Sequence, residues 1–452
     1  MKKKFKIDKI LIVLFTLALF VRFFHFNYPP ELVFDEIHFG KFIRAYFTNE
    51  NYFDIHPPFG KLLIFEFAKI LGLESAKDDF LSISQNYDPN ILYKLRLLPA
   101  FTSVLFVLII YLFSLRLTGS KTAATVSSLM VLFDNAITVH SRLILLDIFL
   151  VTFGFLSLYF YLLQRKTKNK RNRILLLILA GLFLGMAYSI KWTGLSIVFL
   201  IFVLAFYDLL KNKKIGEFFF KVFLIYLISF LFYLSIFAIH FAILSKSGSG
   251  DAYLSLDFRN KSFVEKFVEM NEKMFFYNSA ITADHPFKSK WFEWPFNKKA
   301  IFYWNKNQFL FIQEIWLLGN PIVWLSAIFA VVLGSILVLI KICSKKPKDL
   351  SVFLTTFLIL GWLVNFLPYS MISRPLFLYS YFPALVFSII LFGYLFFYFL
   401  NKIKGRNLKK IITVSLLVTI IAGFLVISPV TYGTANLINS LSYKMIIVHI
   451  LR

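Results

Sequence analysis

This sequence of 452 residues has almost no cysteine and few charged residues. Its single cysteine, Cys343, excludes an intramolecular disulfide framework and a metal site built from several thiolates. Charged residues make up 16% of the chain, against roughly a quarter in soluble globular proteins. Apolar side chains make up 59%, more than a soluble globule could bury. The composition therefore predicts an integral membrane protein.

Acidic residues are the minority among the charges, and the formal net charge is +25. Such a charge can indicate nucleic-acid binding, but here the Lys and Arg residues fall in short gaps between apolar runs, where topology signals lie. Nucleic acid is therefore not predicted as a partner. No small-residue cleavage site follows the first apolar run, which we interpret as an uncleaved span.

Eleven apolar runs approach the roughly twenty residues that a helix needs to cross a bilayer. They predict an all-α integral membrane protein with about eleven transmembrane helices. The runs lie near residues 10–24, 92–115, 122–139, 144–163, 174–190, 193–210, 217–243, 321–341, 352–371, 375–400 and 411–428.

The basic runs agree with this count of helices. If the lysines at positions 2 to 9 are cytoplasmic, alternation places every later basic run on the cytoplasmic side, as the positive-inside rule requires. One helix more or fewer would reverse this agreement. The later basic runs are 165–173, 211–214, 341–348 and 402–410.

Two long outer segments divide the chain into regions. Residues 1–243 form an N-terminal transmembrane region with a first outer loop at 25–91, and residues 244–320 form a second outer loop. Residues 321–452 form a C-terminal region of four helices and an outer tail. Long ordered loops bring polar chemistry to a membrane surface, so function is expected in these two loops. An apolar stretch within the first loop, at 62–71, is too short to span and predicts an interfacial helix.

The first outer loop begins with two adjacent carboxylates, Asp35 and Glu36. Such a pair is suited to general-base chemistry, although acids also favour the first turn of a helix through the backbone dipole. Farther along, His56 precedes two prolines that fix the chain near the membrane surface. His56 could support a substrate or simply order the loop.

Four basic residues lie at or near the outer ends of the predicted helices, on the same side as the carboxylates. Together they indicate an anion site, and the anion expected at this depth is a lipid phosphate. For any one of them, the alternative is a side chain that extends toward water, and Arg142 could instead pair with Asp147. The four residues are Arg96, Arg142, Lys191 and Arg374.

Eight short motifs with polar or aromatic residues lie along the chain. They are Phe34–Lys41, Asp54–Lys61, Ser141–Asp147, Lys191–Leu195, Ser247–Ala252, Asp284–Pro286, Trp291–Pro295 and Leu318–Pro321. In order and spacing these motifs resemble the protein O-mannosyltransferase family. The resemblance runs from about residue 20 to about residue 390.

This resemblance implies a GT-C type fold with eleven transmembrane helices and a multi-pass protein of the cell membrane. It also implies inverting transfer of mannose from a polyprenyl-phosphate mannose donor to Ser or Thr of secreted or membrane proteins, on the extracytoplasmic side. Eukaryotic members carry a MIR domain in the later loop, but residues 244–320 are too few to hold one. The chain therefore resembles the compact prokaryotic form, and the acceptors and any help from the protein translocation machinery stay open.

A lipid phosphate is a good leaving group, so one base is sufficient for transfer. We assign that role to Asp35, while Glu36 points elsewhere because adjacent helical residues diverge. Arg96 and Arg374 are the first candidates to stabilise charge on the leaving phosphate, followed by Lys191 and Arg142. No spacing of ligands predicts a metal site, and no cofactor is expected beyond the lipid-linked sugar.

Further candidates support the substrate or the loops: Asp147, Trp192, His285, Trp291 and Asn320. The late tryptophans could stack on sugar or peptide, although Trp also anchors helices at membrane interfaces. Two other functions stay open. One is a related transferase that modifies a lipid or a glycan. The other is a transporter, which the lack of paired broken helices disfavours.

Overall fold

Helices dominate the computed structural model, which describes residues 8–75, 79–282, 284–308, 311–344 and 351–434. The lysines at positions 2 to 6, part of the basic run 341–348 and the outer tail after 434 lie outside the described residues. In chain order the helices are α1 (Lys9–Phe23), α2 (Glu36–Thr48), α3 (Phe59–Ile70), α4 (Pro89–Thr118), α5 (Lys121–Leu132), α6 (Asn135–Ser141), α7 (Asp147–Gln164), α8 (Lys170–Tyr188), α9 (Leu195–Asn212), α10 (Ile215–Ile243), α11 (Phe263–Ala280), α12 (Pro321–Cys343), α13 (Val352–Val364), α14 (Phe382–Lys402) and α15 (Arg406–Tyr432). Two strands, β1 (Ile301–Gln308) and β2 (Phe311–Leu317), form an antiparallel hairpin.

All eleven predicted apolar runs are helical, which confirms the predicted helical membrane fold. In the described ranges, nine helical stretches are long and apolar enough to cross a membrane, and α5 with α6 adds a tenth if the bent pair is one span. The remaining run corresponds to α1, whose 15 residues are short for a full crossing.

The break between α5 and α6 bends the pair by 59° and leaves carbonyl groups without helical partners. The buried Arg22 guanidinium supplies the missing donors, because it donates to the carbonyls of Val131 and Leu132 at 3.1 and 3.0 Å. Asp134 then caps α6 by accepting from the amide of Ile137 at 2.9 Å. A buried charge thus stabilises a kink that the hydropathy pattern alone does not predict.

The first outer loop folds into α2 and α3. The apolar stretch predicted at 62–71 is helical, as α3, which begins directly after Pro57 and Pro58. With 12 residues, α3 is too short to span a bilayer. It buries seven residues against the rest of the protein, whereas Ile70 at its end is exposed.

The second outer loop contains secondary structure that the sequence analysis did not predict. Ser262 and Glu265 form a capping box that starts α11. The β1–β2 hairpin adds a small sheet to a fold that was predicted as all-α. Tyr303 and Trp304 of β1 are fully buried, and the Trp304 indole donates to Glu31 of the first loop at 2.7 Å. Aromatic residues on both faces hid the strand pattern in the sequence.

The two outer loops are fastened together by close backbone contacts. The amide of Asn51 donates to the carbonyl of Lys246 at 3.0 Å, and Asp251 accepts from the Asn51 side chain at 2.7 Å. A Cβ on Gly248 would lie 2.2 Å from the Asn51 carbonyl oxygen, and one on Gly250 would lie 2.3 Å from Tyr52. Glycine is needed at both positions because the backbones approach so closely.

Candidate active site

Asp35 lies at the start of α2 and is placed there by the hairpin of the other outer loop. The preceding residue, Phe34, has a left-handed φ of 47°, which costs energy in a non-glycine residue. Tyr303 offsets this cost in two ways. Its ring stacks on the Phe34 ring with centroids 4.2 Å apart, and its carbonyl accepts a hydrogen bond from the Phe34 amide at 3.2 Å. Strained backbone clusters at functional sites, so this support indicates that the position of Asp35 matters.

The Asp35 carboxylate makes no hydrogen bond or ion pair with any described residue. Burial raises the pKa of Asp35 to about 7, and although Lys191 acts in the opposite direction, the negative charges of Asp147 and Asp54 add to the increase. A free carboxylate with a pKa near neutrality is suited to accept a proton at physiological pH.

The neighbouring carboxylate, Glu36, is fully buried and has every acceptor position occupied. It accepts two hydrogen bonds from Arg96, at 2.6 and 2.8 Å. It also accepts from the amides of Val33 and Ile144, both at 3.0 Å. This placement corrects the inclusion of Glu36 among the catalytic residues, because no oxygen is left for a substrate.

Arg96 is equally occupied, which corrects its prediction as a ligand of the lipid phosphate. Besides the pair with Glu36, it donates to the carbonyls of Pro29 and Glu31, each at 2.8 Å. Arg96 therefore ties the start of the first outer loop to α4. The sequence placed it on the correct side of the bundle but could not identify its partners.

Arg142 also lies away from the candidate site. Its guanidinium donates to the carbonyls of Phe24 and His25 at 2.7 Å and lies 4.6 Å from the centre of the Tyr432 ring. It does not pair with Asp147, so the predicted alternative of an ion pair is wrong. Arg142 does not line the pocket described below, so this geometry does not support its role as a phosphate ligand. The carbonyls at the end of α1 take up this charge instead.

Five of the predicted residues line one pocket that opens to solvent. They come from four parts of the chain: the first outer loop, the start of α7, the turn from α8 to α9, and the segment before α14. The five residues are His56, Asp147, Lys191, Trp192 and Arg374. Tyr379 contributes to the same wall.

Lys191 and Asp147 form an ion pair on the pocket wall, with Nζ 2.8 and 2.9 Å from the two carboxylate oxygens. His140 bonds Asp147 at 2.9 Å through Nε2. The Lys191 ammonium also lies 5.3 Å from the centre of the Tyr379 ring. Asp147 thus holds Lys191 in place, and the ammonium keeps one face toward the pocket.

Arg374 is the free cation of the pocket. Its half-buried guanidinium makes no hydrogen bond or ion pair with any residue that the structure describes, whereas Arg96 and Arg142 donate to backbone carbonyls. A guanidinium can bind a phosphate through two parallel hydrogen bonds. Arg374 is therefore the side chain best placed to take an anion.

His56 contributes a neutral imidazole to the pocket. Burial lowers the pKa of His56 to about 3; Asp54 opposes this shift, while Lys191, Lys61 and Arg374 strengthen it. The buried Lys61 stabilises this loop, because it donates to the His56 carbonyl at 2.9 Å and pairs with Asp54. The prediction that this segment orders the loop and the prediction that it meets substrate are therefore compatible.

The late aromatic residues form the outer surroundings of the pocket. His285 packs its ring on Phe377, with centroids 5.0 Å apart, and Trp291 packs on Phe366 at 4.9 Å. Trp294 is fully buried and donates to Ser289 at 2.8 Å. None of the three lines the pocket, so the predicted stacking on sugar or peptide has no support in this geometry.

Asn320 is a structural cap. Its side chain accepts from the amide of Ile322 at the start of α12 and donates to the carbonyls of Phe133 and Ile420, each at 2.9 Å. It therefore joins three helices behind the site. The Asn-Pro dipeptide of the sequence is explained by this cap and by proline at the first helical position.

Sequence analysis missed two residues that connect the two sides of the site. His140 bonds the Tyr303 hydroxyl at 2.7 Å through Nδ1 and Asp147 through Nε2. It thereby joins the ion pair of the pocket to the strand that supports Phe34. His140 directly precedes the motif that begins at Ser141, which was a usable signal, but Tyr303 lies in no motif.

Within the described residues, no group of three or more His, Cys, Asp or Glu side chains is arranged to hold a metal ion. Metal-independent transfer remains a prediction.

Two family models match the chain, and together they cover most of it. The first is described as dolichyl-phosphate-mannose-protein mannosyltransferase and matches residues 12–245. The second is described as the C-terminal four-TMM region of protein-O-mannosyltransferase and matches residues 263–449.

Among curated proteins, dolichyl-phosphate-mannose–protein mannosyltransferase 4 of Candida albicans is 33% identical over 284 residues. That match covers 60% of this chain but only 37% of the relative. The chain thus spans well under two thirds of the length of this relative.

Among solved structures, the Saccharomyces cerevisiae protein O-mannosyltransferase Pmt1–Pmt2 complex, bound to its sugar donor, matches with a TM-score of 0.88 at 18% identity. The match covers 94% of this chain and 90% of that chain. The oligosaccharyltransferase of Archaeoglobus fulgidus in its apo form matches with a TM-score of 0.58 at 12% identity, over 100% of this chain and 60% of that one. At these identities the likenesses concern the fold, and they agree with the GT-C type fold predicted from the sequence.

Proposed function

Because the chain belongs to the protein O-mannosyltransferase family, we propose that it transfers mannose from dolichyl-phosphate mannose to Ser or Thr hydroxyls of proteins. The predicted donor class, polyprenyl-phosphate mannose, is narrowed here to the dolichyl form after which the relatives are named. The observation that carries the proposal is the Asp35 carboxylate, which has no partner among the described residues and interacts electrostatically with Lys191 of the pocket. The same pocket contains Arg374, which also has no partner among the described residues.

Asp35 is the general base. Its carboxylate takes the proton of the acceptor hydroxyl while the hydroxyl oxygen attacks the anomeric carbon of mannose. The bond from that carbon to the phosphate oxygen breaks, and the lipid phosphate leaves with the electron pair. Attack from the side opposite the leaving group inverts the anomeric configuration. A pKa of about 7 keeps Asp35 basic enough to accept the proton and largely ionised above neutrality.

Arg374 and Lys191 stabilise the charge that develops on the leaving phosphate. A fixed cation stabilises such charge better than bulk water does, because it needs no reorganisation. Arg374 supplies a guanidinium without a competing partner among the described residues. Lys191 is held by Asp147 and carries its charge at the same wall. Arg96 and Arg142 have no part in this step.

The site lies on the extracytoplasmic side in the predicted topology. Asp35 follows α1, Lys191 precedes α9, and Arg374 lies between α13 and α14, and all three positions are outer connections when the N-terminus is cytoplasmic. We therefore propose a multi-pass enzyme of the cell membrane that meets secreted or membrane proteins at its outer surface. Acceptors that leave the translocation machinery unfolded would reach the site before folding buries their hydroxyls.

The central test is Asp35→Asn, which removes the proton acceptor with little change of shape. We expect the rate of mannose transfer from dolichyl-phosphate mannose to a Ser/Thr peptide to fall by about 10² or more, with donor affinity retained. The matched control is Asp257→Asn, the same change at an exposed carboxylate of the second outer loop. Equal rates for wild type and Asp35→Asn would exclude Asp35 as the base.

The acceptor class is tested in the same assay. Purified protein receives radiolabelled dolichyl-phosphate mannose together with a Ser/Thr peptide and a lipid extract, and the label is then followed into each fraction. Label in the peptide supports the proposal. Label only in the lipid fraction would assign the chain to a transferase with a lipid or glycan acceptor. Vesicles that take up the donor without any transfer would instead favour the transporter.

A further inference from the structure

The second outer loop contributes one polar residue to the pocket that no motif indicated. Asn278 lies in the last turn of α11 and lines the same pocket as Arg374, Lys191 and Trp192. The oxygen of its carboxamide, Oδ1, is buried and accepts no hydrogen bond from any described residue. Other buried polar atoms also lack a partner, but among them only Asn278 Oδ1 belongs to a residue of this pocket.

A second asparagine on the same helix shows what a purely structural amide looks like here. Asn271 lies two turns earlier, so the two residues lie on the same side of α11. Asn271 accepts from the Tyr233 hydroxyl at 2.6 Å and donates to the Phe267 carbonyl at 2.8 Å. Both ends of its amide are thus satisfied within the protein.

Tyr233 connects this helix to the pocket wall. The Trp192 indole donates to the Tyr233 hydroxyl at 3.0 Å, and that hydroxyl in turn donates to Asn271. The position of α11 is therefore fixed relative to Trp192, whose ring lines the pocket. Asn278 therefore lies on a helix whose position is fixed, although its Oδ1 accepts no hydrogen bond from the described residues.

A buried acceptor without a donor costs stability, and native proteins retain few of them. The cost is recovered when a ligand supplies the donor. The pocket already has cations suited to a phosphate, and the sugar of a glycosyl phosphate is joined to that phosphate by a single oxygen. The hydroxyls of the sugar therefore enter the same pocket. Each of them can donate the hydrogen bond that Asn278 Oδ1 does not receive from the described residues.

We propose that Asn278 Oδ1 accepts a hydrogen bond from a hydroxyl of the mannosyl group while Arg374 binds the phosphate. This inference rests on the proposed function. Asn278 is thus a residue of donor recognition, and the open acceptor on α11 selects for a sugar on the lipid phosphate. The acceptor polypeptide is not its ligand, because Asn278 shares a wall with the cations of the donor phosphate, whereas Asp35 is not part of that lining.

The test compares Asn278→Ala with Asn271→Ala in the purified full chain. Thermal unfolding is followed with dolichyl phosphate, with dolichyl-phosphate mannose and without lipid. Wild type should gain more stability from the mannosylated lipid than from dolichyl phosphate, because only the former reaches Oδ1. Asn278→Ala should lose that additional gain and keep the gain from dolichyl phosphate. Asn271→Ala should unfold at a lower temperature without lipid and retain the difference between the two lipids.

Kinetics supply the second readout. For Asn278→Ala we expect kcat/KM for dolichyl-phosphate mannose to fall about tenfold, while KM for the peptide stays unchanged. Asn278→Asp keeps an acceptor oxygen at the same place and should restore most of the loss.

Three outcomes would overturn the inference: an equal loss with dolichyl phosphate alone, a change confined to the peptide KM, or a loss that matches Asn271→Ala in every measurement. A wild-type protein that transfers no mannose and distinguishes neither lipid would contradict the proposed function itself.

Discussion

Two regions of the outer surface carry the same kinds of charge and differ in how many hydrogen-bonding positions are still open. Around Glu36 and Arg96, every carboxylate oxygen and every guanidinium nitrogen has a partner, and both side chains are fully buried. Around Asp35 and Arg374, neither charged group pairs with a described residue. Unfilled hydrogen-bonding positions, more than charge or side of the membrane, therefore distinguish a reaction site from a structural ion pair.

The largest expected effect comes from breaking the filled region. Glu36→Gln leaves the Arg96 charge buried without a counter-ion and turns an amide donor toward the backbone amide of either Val33 or Ile144. Loss of one partner of such a pair costs about 3 to 5 kcal/mol of the free energy of unfolding. We expect a much lower unfolding temperature in detergent, whereas Glu66→Gln on the exposed face of α3 should change little. A stable Glu36→Gln protein with no transferase activity would return Glu36 to the catalytic residues.

Arg374 and Arg96 give the next comparison. Arg374→Ala should reduce the use of dolichyl-phosphate mannose by about tenfold to a hundredfold, the size of a charge-assisted hydrogen bond. Its unfolding temperature without lipid should stay close to that of wild type, because the guanidinium has no internal partner among the described residues. Arg96→Ala should instead act mainly on stability and lower the unfolding temperature. Unchanged donor kinetics for Arg374→Ala would move the phosphate site elsewhere.

The smallest effect is a dependence on pH. Because the pKa of Asp35 is raised to about 7, the transfer rate should fall about tenfold per pH unit below neutrality as the base becomes protonated. The folded state holds this proton more tightly than the unfolded chain, whose Asp has a pKa near 4. Stability from this group is therefore lost as pH rises from about 4 to about 7.

Neutralising either of the two neighbouring carboxylates should change stability in opposite directions. Asp35→Asn should unfold at a higher temperature than wild type at pH 8, and the difference should vanish near pH 4. Glu36→Gln should be destabilised over the same range. The measurement is thermal unfolding of both variants across pH. An Asp35→Asn protein that is less stable than wild type at pH 8 would mean that the carboxylate has a favourable partner in the folded state.

Much of the fold was accessible from the sequence because membranes impose a simple rule. A helix that crosses a bilayer needs a long apolar run, so the runs could be counted and the basic clusters oriented. The same reasoning placed Lys191 and Arg374 on one side of the bundle, where the structure has them in one pocket. The sequence pattern does not predict the hairpin, because its strands carry aromatic residues on both faces and lie in a loop.

The candidate site was predictable in part. Asp35, His56 and Lys191 belong to motifs whose polar residues stand out against an apolar background. Arg96 and Arg142 stand out equally, and they proved to be bound to carbonyls and to Glu36. Asn278 did not stand out, because an asparagine in a polar helix is unremarkable until its partners are known.

The sequence by itself therefore determined which segments are helical and which polar residues lie at the same end of the bundle as Asp35, because hydropathy and charge are properties of single residues and short runs. Only the tertiary structure decided which of those residues remain free. Whether Arg96 or Arg374 can hold a phosphate depends on atoms supplied by distant segments, and no local sequence pattern indicates hydrogen bonds between residues sixty or more positions apart.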